Sequence, residues 1–322
     1  MIYISILIIL LFVLLSVLTY NYLSGKNLIK DLIHFIKLNS RSLKQWDQFH
    51  SDISKSSDIV ISFTTIPERI DKLDLTLKSL LYQNIQPASI NIYIPYQSFR
   101  NNKPYRIPPI LNELKNIQIH RVDVDYGPAT KFIHALNSFP EEQQVLVVDD
   151  DNIYPPNYVE QFEEASRRYP DKILSASGWR VPDDLIDKPT TLKSNVFKLP
   201  PTPIPGTRIK KNYPVDIIQG YSGYLLKPVF FNLEELQDYS LTPEALRFVD
   251  DVWISAHAKV PKIVFPMKRF CYTPFLKKHD FSSSSLAKIN NWNKPSNEDR
   301  NNTIGIKLFE ERWLNFQNKK AD

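Results

Sequence analysis

The chain of 322 residues can form one large domain or two smaller ones, and its composition, 43% hydrophobic and 23% charged, is that of a globular protein. The formal net charge is +5, but bases are interleaved with acids, so we expect an ordinary surface and no nucleic-acid partner. The single cysteine excludes an internal disulfide and any metal site built from several cysteines.

Residues 1–23 form an apolar segment without a charged side chain. About 20 apolar residues suffice to span a bilayer as a helix, whereas a cleavable signal peptide has a shorter core, preceding bases and a small-residue end. We therefore predict a retained, single-pass transmembrane anchor. Basic residues follow this segment, which favours a cytoplasmic location for the rest of the chain. The sequon Asn301-Asn302-Thr303 leaves the lumenal side open.

Residues 24–57 are predicted to form a juxtamembrane helix followed by a stem. Apolar residues between Asn27 and Leu38 fall on one helical face. Such a face is typical either of a helix lying in the membrane interface or of a helix packed on the main domain. The polar, serine-rich segment 41–57 is predicted to be a short linker or stem.

From residue 58 onward, short apolar runs alternate with helical patterns. Strands are predicted at 59–63, 90–95, 117–122 and 145–148. Strands separated by helices indicate βαβ units, so we predict one α/β domain over residues 58–290, with a mainly parallel sheet flanked by helices. The pattern becomes irregular after Gly178, and residues 291–322 are predicted to be a C-terminal helical extension.

The run VLVVDDD at 145–151 combines a buried strand with an acidic end. Consecutive aliphatic residues are typical of a strand covered on both faces, and ligands of parallel sheets bind beyond the carboxyl ends of the strands. Adjacent acids repel one another unless a cation or hydrogen-bond donors neutralise them. We therefore predict a divalent-metal site here. Strand alternation would place Asp149 and Asp151 on one side and Asp150 on the other.

Four motifs follow one another along the domain: ISFTTIPERID at 61–71, DYGPATK at 125–131, VVDDDNIYPP at 147–156, and the pair QGYSG and DDVWIS at 219–223 and 250–255. Their order and spacing resemble those of GT-A glycosyltransferases, specifically the family-2-like group, over residues 58–279. The resemblance implies a GT-A (Rossmann-like) fold and a hexosyltransferase-type activity. A sugar would pass, with inversion, from a nucleotide-sugar donor, for which UDP is the expected carrier, to a hydroxyl of a glycan, lipid-linked or protein acceptor.

The resemblance also implies roles for individual residues. Asp149 and Asp151 are expected to bind Mn²⁺ or Mg²⁺ on the donor diphosphate, with Asp150 between them in the donor site. The other expected donor-binding residues are Thr64, Thr65, Arg69, Asp125, Lys131, Gly220, Tyr221, Ser222 and Gly223. Asp251 is expected to be the catalytic base, with Asp250 as the second candidate. His279 matches a late histidine that some members use as a further metal ligand.

Structural roles remain open for several of these residues. Arg69 could be a surface charge, Asp125 a helix cap, 219–223 a tight turn, Asp250 and Asp251 a helix N-cap pair, and His279 a surface histidine. Two other function classes also remain. A nucleotidyltransferase of the same fold usually has a glycine-rich basic loop after its first strand, and residues 64–69 contain no glycine. A catalytically inactive, membrane-tethered carbohydrate-binding protein is the other alternative.

Overall fold

Helices flank one large sheet in the computed structural model, which describes residues 2–273, 285–286 and 288–314. The strands are β1 (Val60–Thr64), β2 (Ser89–Pro95), β3 (Ile117–Val122), β4 (Val145–Val147), β5 (Ile173–Ser175), β6 (Ser177–Trp179), β7 (Ile204–Pro205), β8 (Tyr213–Pro214), β9 (Ile217–Ile218), β10 (Tyr224–Leu226) and β11 (Lys262–Val264). The helices are α1 (Ile2–Ser24), α2 (Leu28–Asn39), α3 (Leu43–Ser51), α4 (Asp74–Leu81), α5 (Pro109–Asn112), α6 (Thr130–Ser138), α7 (Tyr158–Arg168), α8 (Leu192–Phe197), α9 (Leu233–Gln237), α10 (Asp250–His257) and α11 (Asn301–Leu308).

The large sheet has eight strands in the order β3-β2-β1-β4-β10-β5-β11-β8. Strands β3, β2, β1 and β4 are parallel neighbours, and β5 pairs in parallel with β11. Strand β10 runs antiparallel between β4 and β5, and β8 forms an antiparallel edge. A second, antiparallel sheet contains β7, β6 and β9. The predicted mainly parallel sheet flanked by helices is confirmed.

Strand β4 lies inside the sheet, between β1 and β10, and apolar groups cover both of its faces. Leu146 packs in the core on one face, and Val145 and Val147 pack in the core on the other. Successive side chains of a strand point to opposite faces, so a strand covered on both sides needs apolar residues at every position. The predicted strand was one residue too long, since β4 ends at Val147.

The segment 41–57, predicted to be a linker or stem, instead contains the helix α3. Ser42 and Gln45 form a capping box at its start, and Trp46 is fully buried in the main core. Asp47 accepts hydrogen bonds from the backbone N–H groups of residues 115 and 116, at 2.8 and 3.0 Å. Few apolar residues mark this helix because polar side chains make part of its contact with the domain, which explains the wrong prediction.

Helix α2 packs on the domain, and its other face is apolar and exposed. Asp31, His34 and Leu38 are buried against the domain. This contact shows that α2 packs on the main domain, and its exposed apolar face is also compatible with a helix at the membrane interface. Helix α1 is long and apolar enough to cross a membrane, and none of its residues is buried.

Part of the predicted C-terminal extension packs into the main domain. Ile306 of α11 and Trp313 are fully buried in the same core as Trp253 of α10. Gly305 lies where a Cβ would be only 2.8 Å from a methyl group of Leu246. The described residues beyond 290 therefore help to hold α10 in place.

Candidate functional site

A cavity of about 340 Å³ opens at the carboxyl ends of the parallel strands. Segments that follow β1, β2, β3 and β4 all contribute to its wall. The predicted site residues that line it are Thr64, Thr65, Arg69, Asp125, Lys131, Asp149, Asp150, Tyr221, Asp250 and Asp251. Residues far apart in the sequence therefore meet at the edge of the sheet where ligands of parallel sheets bind.

The acidic run forms a turn rather than the end of a strand. Because β4 stops at Val147, strand alternation does not reach the acids, and Asp150 and Asp151 lie in the turn. Asp149 and Asp150 both line the cavity, whereas Asp150 and Asp151 share one guanidinium. The expectation that Asp149 and Asp151 would share one side, with Asp150 on the other, was wrong for this reason, whereas Asp150 does line the cavity as a donor-site residue would.

Arg69 holds the acidic turn from the side of the first strand. Its Nη1 donates to Asp150 Oδ1 at 2.9 Å and to Asp151 Oδ2 at 3.1 Å. Thr65 Oγ1 donates to the other oxygen of Asp150 at 2.6 Å. Burial lowers the pKa of Arg69, but the neighbouring carboxylates outweigh burial and raise it. Arg69 is thus a buried partner of the acidic turn and not a surface charge.

Lys131 joins the acidic turn to the start of α10. Its Nζ lies 2.6 Å from Asp149 Oδ1 and 2.7 Å from Asp250 Oδ2, and only 5% of the side chain is exposed. Burial lowers the pKa of Lys131, but the two carboxylates hold it well above its ordinary value. Gly220 packs on this ammonium, because a Cβ at that position would lie 2.5 Å from Nζ. Lys131 is therefore a fixed positive charge within the site.

Asp250 and Asp251 begin α10 but do not cap it. The N-cap position is Val249, which makes no side-chain capping bond, so the N-cap alternative was wrong. Asp251 Oδ1 accepts the backbone N–H of Gly220 at 2.8 Å. Burial raises the pKa of both carboxyls, and the charge of Asp250 helps to raise that of Asp251 further. A carboxylate with a raised pKa takes up a proton more readily than an ordinary one.

Asp125 holds the loop in front of α6. Its carboxylate accepts the backbone N–H groups of Phe99 at 2.6 Å and Gly127 at 2.7 Å, and the hydroxyl of Thr130 at 3.0 Å. Gly127 has a φ of +62°, and a Cβ there would lie 2.8 Å from the carbonyl oxygen of Arg247. Asp125 thus fixes the backbone of this loop at the wall of the cavity, although the residues at the N-cap positions of the 3-10 turn and of α6 are Tyr126 and Ala129.

The segment 220–223 forms a short 3-10 helix and a turn. Tyr221 lines the cavity, and Gly220 contacts Asp251. Ser222 is buried, and its hydroxyl donates to the carbonyl of residue 219 at 3.0 Å. Gly223 has a φ of +85°, and the hydroxyl of Tyr158 occupies the space of a Cβ. Ser222 and Gly223 therefore shape the turn from behind, and neither lines the cavity.

Carboxylate oxygens such as those of the acidic turn are the ligand type that hard divalent cations take, and two of these carboxylates are partly exposed. The side chains of Asp149 and Asp151 are 29% and 27% exposed, whereas that of Asp150 is 8% exposed. Burial raises the pKa of Asp151 to about 7; the charge of the neighbouring Asp150 adds to the rise, and Arg69 opposes it. Within the described residues, no group of three or more His, Cys, Asp or Glu side chains is arranged around one point, and His279 lies outside those residues.

Polar residues that the sequence analysis missed support the turn. Thr76 Oγ1 lies 2.9 Å from the carbonyl oxygens of both Asp150 and Asn152. Asn152 Nδ2 donates to Asp151 Oδ1 and to the carbonyl of Tyr221, both at 3.0 Å. Asn152 could have been found from its place beside the acids, whereas Thr76 gives no sequence signal beyond being polar in an apolar helix. The cavity wall also includes three asparagines near the C-terminus, Asn290, Asn291 and Asn302.

No family model and no curated protein matches the chain. Solved structures similar to it include residues 1–349 of S. aureus TarS, with a TM-score of 0.41 and 12% identity over 82% of this chain and 73% of that one. The same S. aureus fragment in complex with UDP has a TM-score of 0.37 and 13% identity, over 81% of this chain and 71% of that one.

Proposed function

We propose that this protein is a glycosyltransferase that moves a sugar from a nucleotide-sugar donor to a hydroxyl acceptor. One observation carries the proposal: a single cavity at the carboxyl edge of the parallel strands joins an acidic turn, a buried lysine and the two acids that begin α10. Such a transfer needs a place for a diphosphate, neutralisation of its charge, and a base for the acceptor. The described residues offer groups suited to each task.

Asp149 and Asp151 are the residues that would hold Mn²⁺ or Mg²⁺. Their carboxylates are the more exposed ones of the turn, at 29% and 27% against 8% for Asp150, which lies between Arg69 and Thr65. When bound, such an ion neutralises negative charge on a leaving diphosphate. Arg69 then acts through Asp150 and Asp151, whose positions it fixes.

The turn after β1 would receive the nucleoside. Thr64 and Thr65 line the cavity, and the backbone beside them offers hydrogen-bonding groups to the edge of a base. The hydroxyl of Tyr105 donates to the carbonyl of Thr65 at 3.0 Å, which fixes this backbone. We expect UDP as the nucleotide that carries the sugar, and an assay with a panel of nucleotide-sugar donors decides between carriers.

Asp251 is the proposed base. Burial raises the pKa of Asp250, but its ion pair with Lys131 favours the ionised form and opposes part of that rise. Asp251 accepts only the Gly220 N–H among the hydrogen bonds described, and burial and Asp250 raise its pKa. Asp251 would remove the proton from the acceptor hydroxyl while its oxygen attacks the anomeric carbon. The nucleoside diphosphate leaves from the opposite side, so the configuration inverts.

The membrane is a further proposed partner, with α1 as a single-pass anchor. This helix is long and apolar enough to cross a bilayer. The acceptor would be a glycan, a lipid-linked molecule or a protein on the side of the membrane where the domain lies.

Release of nucleoside diphosphate tests the proposal. The full chain, purified in detergent, is incubated with UDP- and GDP-sugars and Mn²⁺ or Mg²⁺, beside the Asp251→Asn and Asp250→Asn variants. We expect release by the wild type, about 100-fold or more slower release by Asp251→Asn, and a smaller loss for Asp250→Asn. Binding without release would favour the carbohydrate-binding alternative. Formation of pyrophosphate from a nucleoside triphosphate and a sugar phosphate would favour a nucleotidyltransferase.

A further inference from the structure

The C-terminal end of α1 is attached to the domain at a defined place. Thr207 Oγ1 donates to the carbonyl of Gly25 at 2.7 Å, and the Arg208 guanidinium lies 5.1 Å from the centre of the Tyr22 ring. Gly25 has a φ of +72°, and a Cβ there would lie 2.5 Å from Thr207 Oγ1. The helix that is apolar enough to cross a bilayer therefore leaves the domain from one fixed point.

Helix α2 begins directly beside this point. Three residues separate it from α1, and an extended step of about 3.6 Å per residue keeps Leu28 within roughly 14 Å of Ser24. One face of α2 is fixed to the domain, because Asp31 pairs with Arg269 at 2.9 Å and His34 Nδ1 lies 3.0 Å from the hydroxyl of Tyr272. The exposed apolar side chains of α2 are Leu28, Ile29, Leu32, Ile33 and Ile36.

Helix α8 carries a second exposed apolar face and is tied to the same point. Arg208 donates to the side-chain oxygen of Asn195 at 3.0 Å and to its carbonyl at 2.8 Å. The exposed apolar residues in and beside α8 are Leu192, Val196, Phe197 and Leu199. Arg208 thus links α8 directly to the end of α1.

A basic pocket of about 330 Å³ lies where these elements meet. Its lining includes Lys26, Arg208, Lys210, Lys268 and Arg269. Among the described residues that line it, Asp31 is the one acid, and Asp31 is already paired with Arg269. The pocket therefore has an excess of positive charge beside two apolar faces.

We propose that α2, α8 and this pocket form a docking surface for a bilayer of anionic phospholipid. The apolar side chains of both helices would enter the boundary between headgroups and acyl chains, and the pocket would take the phosphate of a lipid headgroup. Exposed apolar faces bordered by lysines are suited to such an interface, and basic residues near it are attracted to anionic lipid. The end of α1, a helix long enough to span a bilayer, is joined to α2 through three residues and to α8 through Arg208, so a membrane around α1 would lie next to this surface. The proposal is independent of the catalytic cavity.

The lone cysteine makes a direct test possible. Cys271 is fully buried, so a cysteine added at an exposed site becomes the reactive one. Ile33→Cys and Phe197→Cys of the full chain are labelled with bimane and placed in phosphatidylcholine–phosphatidylglycerol vesicles that contain a lipid with a nitroxide on its acyl chain. Leu241→Cys, at a leucine that is 97% exposed, is the control.

We expect the nitroxide lipid to quench the probes at 33 and 197 about twofold or more, and to leave the probe at 241 nearly unchanged. Quenching at neither 33 nor 197 would overturn the proposal, and quenching at 33 alone would remove α8 from the surface. Bimane fluorescence that changes with protein concentration in detergent, without quenching by the lipid, would assign the exposed faces of α2 and α8 to a contact between two copies of the chain. That result would also overturn the proposal.

The pocket has its own test in the labelled Ile33→Cys background. We expect phosphatidylglycerol to increase quenching over phosphatidylcholine alone, and the double substitution Lys210→Glu with Lys268→Glu to abolish that increase. A matched substitution at exposed lysines outside the pocket, Lys115→Glu with Lys259→Glu, should keep it. An unchanged response to phosphatidylglycerol in the pocket variant would refute the headgroup site.

Discussion

Replacing Lys131 by methionine removes a cation that bridges the acidic turn and α10. In the folded protein Asp149 and Asp250 would then lose an ammonium at 2.6 and 2.7 Å. Removing one partner of a buried ion pair costs about 3–5 kcal/mol, because the remaining charge is left uncompensated. Asp250 is 9% exposed but Asp149 is 29% exposed, and solvent stabilises the latter in part. We therefore expect a loss of about 3 kcal/mol in the free energy of unfolding, at the lower end of that range.

The assay is urea unfolding of the full chain in detergent at pH 7, followed by tryptophan fluorescence. Adding Asp250→Asn to Lys131→Met should recover part of the loss, with a coupling energy of about 1–3 kcal/mol between the two sites. Lys188→Met, which removes an exposed ion pair with Asp184, should cost less than about 1 kcal/mol. A Lys131→Met variant as stable as Lys188→Met, with no recovery in the double variant, would refute the reasoning.

Two further predictions concern the same site. Burial and Asp150 raise the folded-state pKa of Asp151 to about 7. Between pH 4 and 7 the native state therefore binds more protons than the unfolded state. The free energy of unfolding of the metal-free protein should fall as the pH rises through this window. Asp151→Asn should reduce the dependence of unfolding free energy on pH and raise that free energy at pH 7 by roughly 1–3 kcal/mol, while it removes sugar transfer. An unchanged pH dependence in urea titrations at several pH values would contradict this. Gly220→Ala should displace Lys131, because a Cβ would lie 2.5 Å from Nζ, and should lower the free energy of unfolding by about 1–3 kcal/mol. Wild-type stability and donor release in that alanine variant would show that Nζ is not fixed there.

The sequence predicted those parts of the fold that depend on local pattern. The four parallel strands were predicted to within one residue at every end, because each is a short apolar run between polar turns. Helix α3 was missed because its contact with the domain uses Trp46 and polar side chains instead of an apolar stripe. Its capping box, Ser42 with Gln45, was a signal that could have revealed it.

The sequence identified most residues of the candidate site but not the contacts between them. Asp149 and Asp250 could be singled out along the chain, but nothing local shows that Lys131 lies between them. The predicted side of Asp150 was wrong because side chains alternate between faces only within a strand, and β4 ends before the acids. The ends of elements are the least certain feature of a sequence pattern. Asn302 reaches the cavity from a segment predicted to be a separate extension, since its place depends on how α11 packs.

Binding of a nucleoside diphosphate measured by calorimetry tests the central claim most directly. UDP and GDP are titrated into the full chain with Mn²⁺, into the same protein with excess chelator, and into Asp151→Asn with Mn²⁺. We predict binding of at least one of the two nucleotides that requires Mn²⁺ and is lost in the variant. Equal binding in chelator and in Asp151→Asn, or no binding of either nucleotide under any condition, would contradict the assignment of the acidic turn to a metal-bound diphosphate.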